Sequence, residues 1–376
     1  MELQQERRRS SATCGRRPNL VQVIGPDGRA DPESDPGLDV ELIRRIYRTM
    51  VRTRVVDQRM EALQRQGRVS FHVGARGEEA AIVAPAAALR PQDWIFSCYR
   101  EIGAALFRGF KLQAYVDNMF GNADDRVQGR QMPDHISGRE VRFASVSSVI
   151  GTQIATAVGF AWASRMKKED LVTAVYFGDG ATSANDFHSG MNFAGVFKTP
   201  TVLLLRNNAW AISVPAERQT AVACLADKGA AYGVEAVRCD GNDALAVYGT
   251  VRNAVERAAS GAGPTLVEMV TYRLGAHTTA DDPTRYRSQE EVERHQGDDP
   301  VRRLRLYLEG RGAWSAAEEQ RLLETVTEEI KGCIERAEGT PAPPLSTIFE
   351  PVYAMQPEHL REQQQQCESG PRAAKR

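Results

Sequence analysis

Two apolar runs end in polar, turn-forming triplets, and one helix-length segment separates them. Leu171 to Phe177 ends at Gly178-Asp179-Gly180, and Thr201 to Leu205 ends at Arg206-Asn207-Asn208. Between them Phe187, Gly190, Met191 and Ala194 fall on one face of a helix. Strand, helix and strand in that order make a parallel pair, because the crossover helix carries the chain back to where the first strand began. Both triplets then stand at the carboxyl edge of the sheet, where open α/β sheets bind ligands. A helix near 221–231, a strand at 234–239, a helix at 243–259 and a strand at 265–273 continue the alternation. The expected fold is α/β, a mostly parallel sheet with helices on both faces.

The flanks read differently. Residues 1–38 are rich in Arg, Pro, Asp and Gly without sustained period, and are expected to form an arm that is partly disordered. Arg7, Arg8, Arg9, Arg16 and Arg17 suggest a targeting signal, but Glu2, Glu6 and the lack of an amphipathic stripe favour a solvated arm. Asp39 and Glu41 open a helix carrying Ile43, Ile46, Tyr47 and Met50, with Gly67 as its stop. A second helix, rich in alanine, spans about Glu78 to Leu89. In the helix predicted over 152–168, Ala155, Gly159 and Ala163 form a small-residue ridge, suited to tight internal packing or to a subunit contact. After about residue 290 the chain becomes helical and charged, with Leu304, Leu306 and Leu308 among arginines, until Pro341, Pro343 and Pro344. The α/β domain with its helical additions thus takes 39–345. Residues 346–376 form a tail with Gln363 to Gln366, expected to be disordered at its end.

Composition excludes several classes. Hydrophobic residues at 42% and charged residues at 26% suit a globular chain, and a net charge of -1 gives no footprint for nucleic acid or membrane. No apolar run is long enough to cross a bilayer. A bacterial cytoplasm is the expected location, with a mitochondrial matrix as the alternative. Cys14, Cys98, Cys224, Cys239, Cys333 and Cys367 form no CxxC pair and no His-Cys cluster, so reduced, mostly buried thiols are expected and a zinc site is not.

The two strand ends carry the chemistry. Gly178 and Gly180 leave room for a phosphate to approach the backbone, and a helix amino end that favours anions follows. Asp179 with an amide oxygen from Asn207 or Asn208 makes a ligand set for a hard cation such as magnesium, with phosphate oxygens and water completing the octahedron. Each triplet alone is most often a plain turn. Together, at the ends of consecutive strands, they read as a holder for a metal-bridged diphosphate and match the thiamine-diphosphate motif.

Ordered matches extend well beyond the motif: RQGRVSF at 65–71, GEEA at 77–80, YRE at 99–101, GRQMP at 129–133, YFGDGA at 176–181, RNN at 206–208, DGNDALAVY at 240–248, and TYR at 271–273 with His277 after it. Over roughly residues 40–360 the chain resembles the alpha subunit of the branched-chain 2-oxo acid (2-oxoisovalerate) dehydrogenase decarboxylating component. GRQMP followed by His135 is more like this type than the pyruvate type, whose stretch is richer in glycine and methionine. The resemblance implies that Asp179, the Asn208 side chain and the Trp210 carbonyl bind magnesium. It further implies diphosphate contacts from Tyr99, Arg100 and Arg206, and cofactor contacts from Gly178, Gly180 and Ala181. Ser148 and the backbone near Ile150 would face the aminopyrimidine ring. Ser147, Thr152 and Gln153 correspond to a monovalent-cation site, for K+, although such a cluster of oxygens also suits a helix cap without an ion. His277 would contact the diphosphate region and assist reaction with the lipoyl substrate; a neutral imidazole can both donate and accept protons.

The implied reaction is oxidative decarboxylation of a branched-chain 2-oxo acid such as 3-methyl-2-oxobutanoate, with the acyl group passed to a lipoyl-bearing acyltransferase core. A glutamate from a beta subunit completes the site in an alpha-two beta-two heterotetramer. Thr278 and Ser288 stand where animal relatives are phosphorylated. Three residues depart from the common pattern: Ala184 replaces a glutamate, Ala209 a glycine and Ala276 a histidine. If Ala209 requires a positive φ, alanine is strained there. Other readings are the alpha subunit of a pyruvate or acetoin dehydrogenase and a cofactor-binding, non-catalytic paralogue. A magnesium-dependent phosphate-transfer protein lacks the GxxxxGK[ST] loop it would need.

Overall fold

The computed structural model describes residues 20–370. Helix α1 (Val40–Arg65) begins where the Asp39 carboxylate accepts the Glu41 N–H, and it stops just before Gly67, whose φ is 71°. Helix α2 (Glu79–Ala88), strand β1 (Trp94–Phe96) and helices α3 (Ile102–Phe107) and α4 (Leu112–Phe120) come next. Then follow α5 (Thr152–Met166), β2 (Thr173–Gly178), α6 (Asn185–Phe197) and β3 (Thr201–Asn207). A small hairpin of β4 (Trp210–Ala211) and β5 (Val214–Pro215), with the short α7 (Ala216–Gln219), stands beyond the end of β3. Strand β6 (Glu235–Asp240), helix α8 (Ala244–Ala259) and strand β7 (Thr265–Val270) complete the main sheet. Helices α9 (Gln289–Gln296), α10 (Pro300–Gly310), α11 (Ala316–Gly339) and α12 (Glu358–Ser369) follow it.

The main sheet has the order β1-β2-β3-β7-β6, and every pairing in it is parallel. Side chains alternate between two cores. Ala174, Tyr176, Val202 and Leu204 pack with residues of α1, α2 and α8, whereas Val175, Phe177, Leu203 and Leu205 pack with Ile154 of α5 and Phe187 and Met191 of α6. Cover on both faces explains why these strands read as unbroken apolar runs. Each large side chain buried here contributes about 1.5–3 kcal/mol, which fixes the strand ends beneath the site.

Strand β3 runs two residues past the expected Leu205, because Arg206 and Asn207 pair with Met269 and Val270, while Gly178 of β2 pairs with Arg206. The polar triplets are therefore partly rungs of the ladder. A hydrophobic pattern cannot reveal that, since the ladder is made by backbone groups. The helix expected near 221–231 is a 3-10 segment, Leu225–Tyr232. Gly229 lies against the Val234 carbonyl, which a Cβ would approach to 2.9 Å.

Part of the expected arm is docked. Val21 bridges to Cys239 beside β6, and the N–H groups of Val23 and Ile24 both donate to Asp243 Oδ2 at 2.6 Å. The five arginines near the chain start, and Cys14, lie outside the described residues. Cys98, Cys224, Cys239 and Cys333 are free and buried, and Cys367 is free and exposed. Gln363 to Gln366, in the tail expected to lose order at its end, lie in α12; glutamine is a good helix former, and Gln364 donates to Glu368 one turn on. Among the described residues no helix is long and apolar enough to cross a membrane.

The small-residue ridge of α5 is split: Ala155 is half-buried with its backbone close to Gly190 of α6, and the other two residues face outward. Gly159 and Ala163 are exposed, and a Cβ built on Gly159 would meet nothing within 4 Å. Trp162 and Met166 of α5, with Phe193 and Val196 of α6, extend this into an exposed apolar face, Met166 being 71% and Val196 66% accessible.

Candidate cofactor and metal site

A cavity of about 390 Å³ opens at the carboxyl ends of β2 and β3. Asp179, Asn208 and Trp210 all line it. Asp179 follows β2 directly and is buried; loss of water pushes its carboxyl up to about 6, and the nearby Glu78 charge adds to that. Its Oδ2 accepts a hydrogen bond from Gln219 Nε2 at 3.1 Å. Asn208 Nδ2 donates to Glu78 Oε1 at 3.1 Å, while its Oδ1 accepts the Trp210 N–H at 3.1 Å. The Trp210 carbonyl accepts from Arg273 Nη1 at 3.3 Å, and the Trp210 indole N–H donates to Glu291 of α9. Gly180 serves a purpose other than phosphate approach alone: a Cβ there would lie 2.7 Å from Ala211 Cβ, so glycine lets the β4–β5 hairpin close over the aspartate. Gly178 and Ala181 line the same cavity.

Three guanidinium groups gather around it. Arg206 donates to Glu78 at 2.6 Å and to Glu101, both fully buried, and these two carboxylates raise its already high pKa further against the cost of burial. Arg100 donates to the Gly74 carbonyl and to the His277 carbonyl at 3.2 Å. Arg273 donates to the Ile212 carbonyl at 2.9 Å. The Nε atoms of Arg206 and Arg273 are buried without a hydrogen-bond partner. Three guanidinium groups on one cavity wall make it a place that favours an anion. Burial alone would raise the Glu78 carboxyl, but Arg206, Arg100 and Arg273 hold it below its ordinary range.

His277 reaches the cavity from the loop after β7. Its Nδ1 lies 3.4 Å from Arg100 Nη2 and 3.2 Å from Arg273 Nη1. Guanidinium nitrogens only donate, so Nδ1 accepts and the ring proton sits on Nε2. Burial, then the charges of Arg100 and Arg273, push this imidazole down to about 3, which keeps it neutral. The Tyr99 ring meets it edge-on with centroids 6.1 Å apart, and Asp281 holds its backbone N–H at 2.8 Å. On the opposite wall Ser148 Oγ is bonded to His135 Nε2, and His135 Nδ1 lies 2.9 Å from the Pro133 carbonyl. That carbonyl can only accept, so in the neutral ring His135 Nε2 accepts the Ser148 hydroxyl proton. Ile150, beside Ser148, is exposed at the cavity mouth.

Ser147, Thr152 and Gln153 are not among the residues lining this cavity. Thr152 Oγ1 lies 3.1 Å from Ser147 Oγ and 2.8 Å from the Val149 carbonyl, and Gln153 Nε2 donates to the Tyr176 carbonyl at 3.1 Å. Gln153 Oε1 is buried without a partner. The N-cap of α5 is Gly151, with no side-chain cap bond, so these oxygens are not spent on capping.

Sequence reasoning gave no role to Arg273, Gln219, His135 or Glu78. Arg273 and Glu78 lay in quoted stretches, TYR and GEEA, so a signal existed. Gln219 had none; it sits 40 residues after the aspartate it bonds. Of the departures, Ala209 has a φ of 70°, the left-handed region, as its replacement of glycine suggested. Ala184 is the N-cap of α6 and offers it no side-chain bond. Thr278 Oγ1 accepts the Ala280 N–H, and Ser288 caps α9.

The chain matches the dehydrogenase E1 component family over residues 47–346. It belongs to that family, and within it to the branched-chain 2-oxo acid dehydrogenase alpha subunits. It is 41% identical over 354 residues to 2-oxoisovalerate dehydrogenase subunit alpha 1, mitochondrial, of Arabidopsis thaliana, a match covering 94% of this chain and 75% of that one. It is 46% identical over 317 residues to 3-methyl-2-oxobutanoate dehydrogenase subunit alpha of Mycobacterium tuberculosis, covering 83% and 82%. The Caenorhabditis elegans 2-oxoisovalerate dehydrogenase subunit alpha, mitochondrial, is 40% identical over 341 residues, covering 90% and 79%. The fold of this E1 alpha chain is the parallel α/β architecture expected from its strand ends.

Proposed function

We propose that the cavity at the ends of β2 and β3 holds magnesium thiamine diphosphate for decarboxylation of branched-chain 2-oxo acids. Family membership supports the reaction and thiamine diphosphate. The observation that carries the metal is the gathering of Asp179, Asn208 and Trp210 on one cavity, where one buried carboxylate, one amide oxygen and one backbone carbonyl meet. One carboxylate, one amide oxygen and one carbonyl, beside diphosphate oxygens, make a donor set of the kind magnesium takes. Arg100, Arg206 and Arg273 are the groups to face the diphosphate. Arg206 is already shared between Glu78 and Glu101, so Arg100 and Arg273 carry more of that charge. Bound thiamine diphosphate supplies the electron sink that decarboxylation requires. Tyr99, Ser148, Ile150, Gly178, Gly180 and Ala181 shape the walls around it.

His277 is the proton-handling residue in this reading. Neutral, with its proton on Nε2 and its Nδ1 held by two arginines, it is a hydrogen-bond donor for the reacting acyl group and for lipoyl transfer. The partnerless Gln153 Oε1, with Ser147 and Thr152, is the place for a monovalent cation such as K+. An alpha subunit implies a beta subunit and a lipoyl-bearing acyltransferase core. The outward apolar face of α5 and α6 supports an alpha-two beta-two heterotetramer, since exposed patches of this kind mark contacts. A bacterial cytoplasm belongs to the same proposal, supported by likeness to the Mycobacterium chain.

The test is an assay of the chain co-expressed with its beta partner, using an artificial electron acceptor. Turnover that needs thiamine diphosphate and magnesium and favours 3-methyl-2-oxobutanoate over pyruvate is expected. Preference for pyruvate would discard the substrate class and keep the chemistry.

A further inference from the structure

We infer that Glu78 is a positioning residue that sets the orientation of the Asn208 amide, leaving its oxygen available to the metal. The inference rests on the magnesium reading above and deepens it. An asparagine side chain presents an oxygen or an amide nitrogen depending on one torsion, and only the oxygen coordinates a hard cation. Asn208 is buried, so its neighbours choose between the two. Glu78 Oε1 stands 3.1 Å from Nδ2. An ionised carboxylate only accepts, so it selects the nitrogen. The Trp210 N–H, 3.1 Å from Oδ1, only donates and selects the oxygen on the other side. A flipped amide would lose both bonds and set oxygen against carboxylate. The amide nitrogen only donates, so Oδ1, through its second lone pair, is the atom Asn208 can offer a cation at the cavity it lines.

Glu78 is equipped for this. It precedes α2 and is fully buried, and its other oxygen accepts from Arg206 at 2.6 Å, with Arg100 Nε 3.6 Å from the first. The same carboxylate thereby ties the metal side of the site, through Asn208, to the arginines on its anion side. That gives a role to the GEEA stretch at 77–80. Outer residues of this kind typically carry about 10–100-fold of metal affinity without touching the ion.

The experiment is a magnesium titration of thiamine diphosphate binding to the co-expressed heterotetramer, followed by calorimetry. Glu78→Gln removes the charge that selects the nitrogen, and Asn208→Asp sets two carboxylates against each other. Each single change is expected to weaken apparent magnesium affinity by about tenfold or more. The double change, E78Q with N208D, exchanges donor and acceptor and keeps the pair's charge. It is expected to bind magnesium at least about tenfold more tightly than Asn208→Asp alone. A merely structural Glu78 would not produce that rescue. Should Glu78→Gln fail to assemble, Glu78→Asp keeps the charge but withdraws it, and is expected to weaken magnesium binding with assembly intact. Overturning results are a double variant no tighter than Asn208→Asp alone, or a Glu78 variant with unchanged magnesium affinity. Wild type binding thiamine diphosphate without need of magnesium would instead remove the reading beneath the inference.

Discussion

At the scale of single residues, the site is built from groups that are expensive where they stand. Ala209 holds a φ of 70° between Asn208 and Trp210, a region costing an L-residue about 1–2 kcal/mol. Glycine would relieve that strain but also loosen the unfolded chain. Ala209→Gly is therefore expected to raise stability by about 0.5–1 kcal/mol net, read as a higher urea midpoint at unchanged slope. A lower midpoint would show that the backbone is not strained there. This position was legible in the sequence, because the family resemblance implies glycine where this chain has alanine. Arg206 was only half legible. The family resemblance marked it as a diphosphate contact, yet its partners Glu78 and Glu101 come from segments 128 and 105 residues away. Pairing at such separation is a product of topology, and no local pattern encodes it. For His277 the loop position was readable, but its tautomer follows from Arg100 and Arg273, which only the folded chain brings together.

Among elements, the central strands were the most readable, because burial on both faces leaves continuous apolar runs. The β4–β5 hairpin was not foreseen. Each strand has two residues, and the turn between them holds Ile212 at a φ of 55°, so neither period nor glycine marks it. Gly180 permits its approach, a constraint visible only when both parts are in place. Asp243 joins two other elements. Its Oδ1 caps α8 through the N–H groups of Leu245 and Ala246, while its Oδ2 holds Val23 and Ile24 against the sheet edge. Removing the carboxylate costs one cap and strands buried donors, so Asp243→Ala is expected to lose about 2–4 kcal/mol. Thermal unfolding of the assembled protein checks this. A change below about 0.5 kcal/mol, the usual size for an ordinary surface position, would contradict the assigned double role.

Across the whole molecule, one parallel sheet gathers into a single cavity residues drawn from 71 to 278, while an apolar face on α5 and α6 is left turned outward. The small-residue ridge was seen in the sequence, but periodicity alone does not say which way a helix is turned; the exposure of Gly159 and Ala163 does. An outward apolar face suits a chain that works with partners. In the proposed function, Asp179 anchors the metal through which the diphosphate is held. The most direct test is calorimetric titration of thiamine diphosphate into the heterotetramer, with and without magnesium, for wild type and Asp179→Ala. Saturable, magnesium-dependent binding that weakens by about 100-fold or more in the variant is predicted, in line with losing a charged ligand. Binding of equal strength in the variant, or binding indifferent to magnesium, would contradict it.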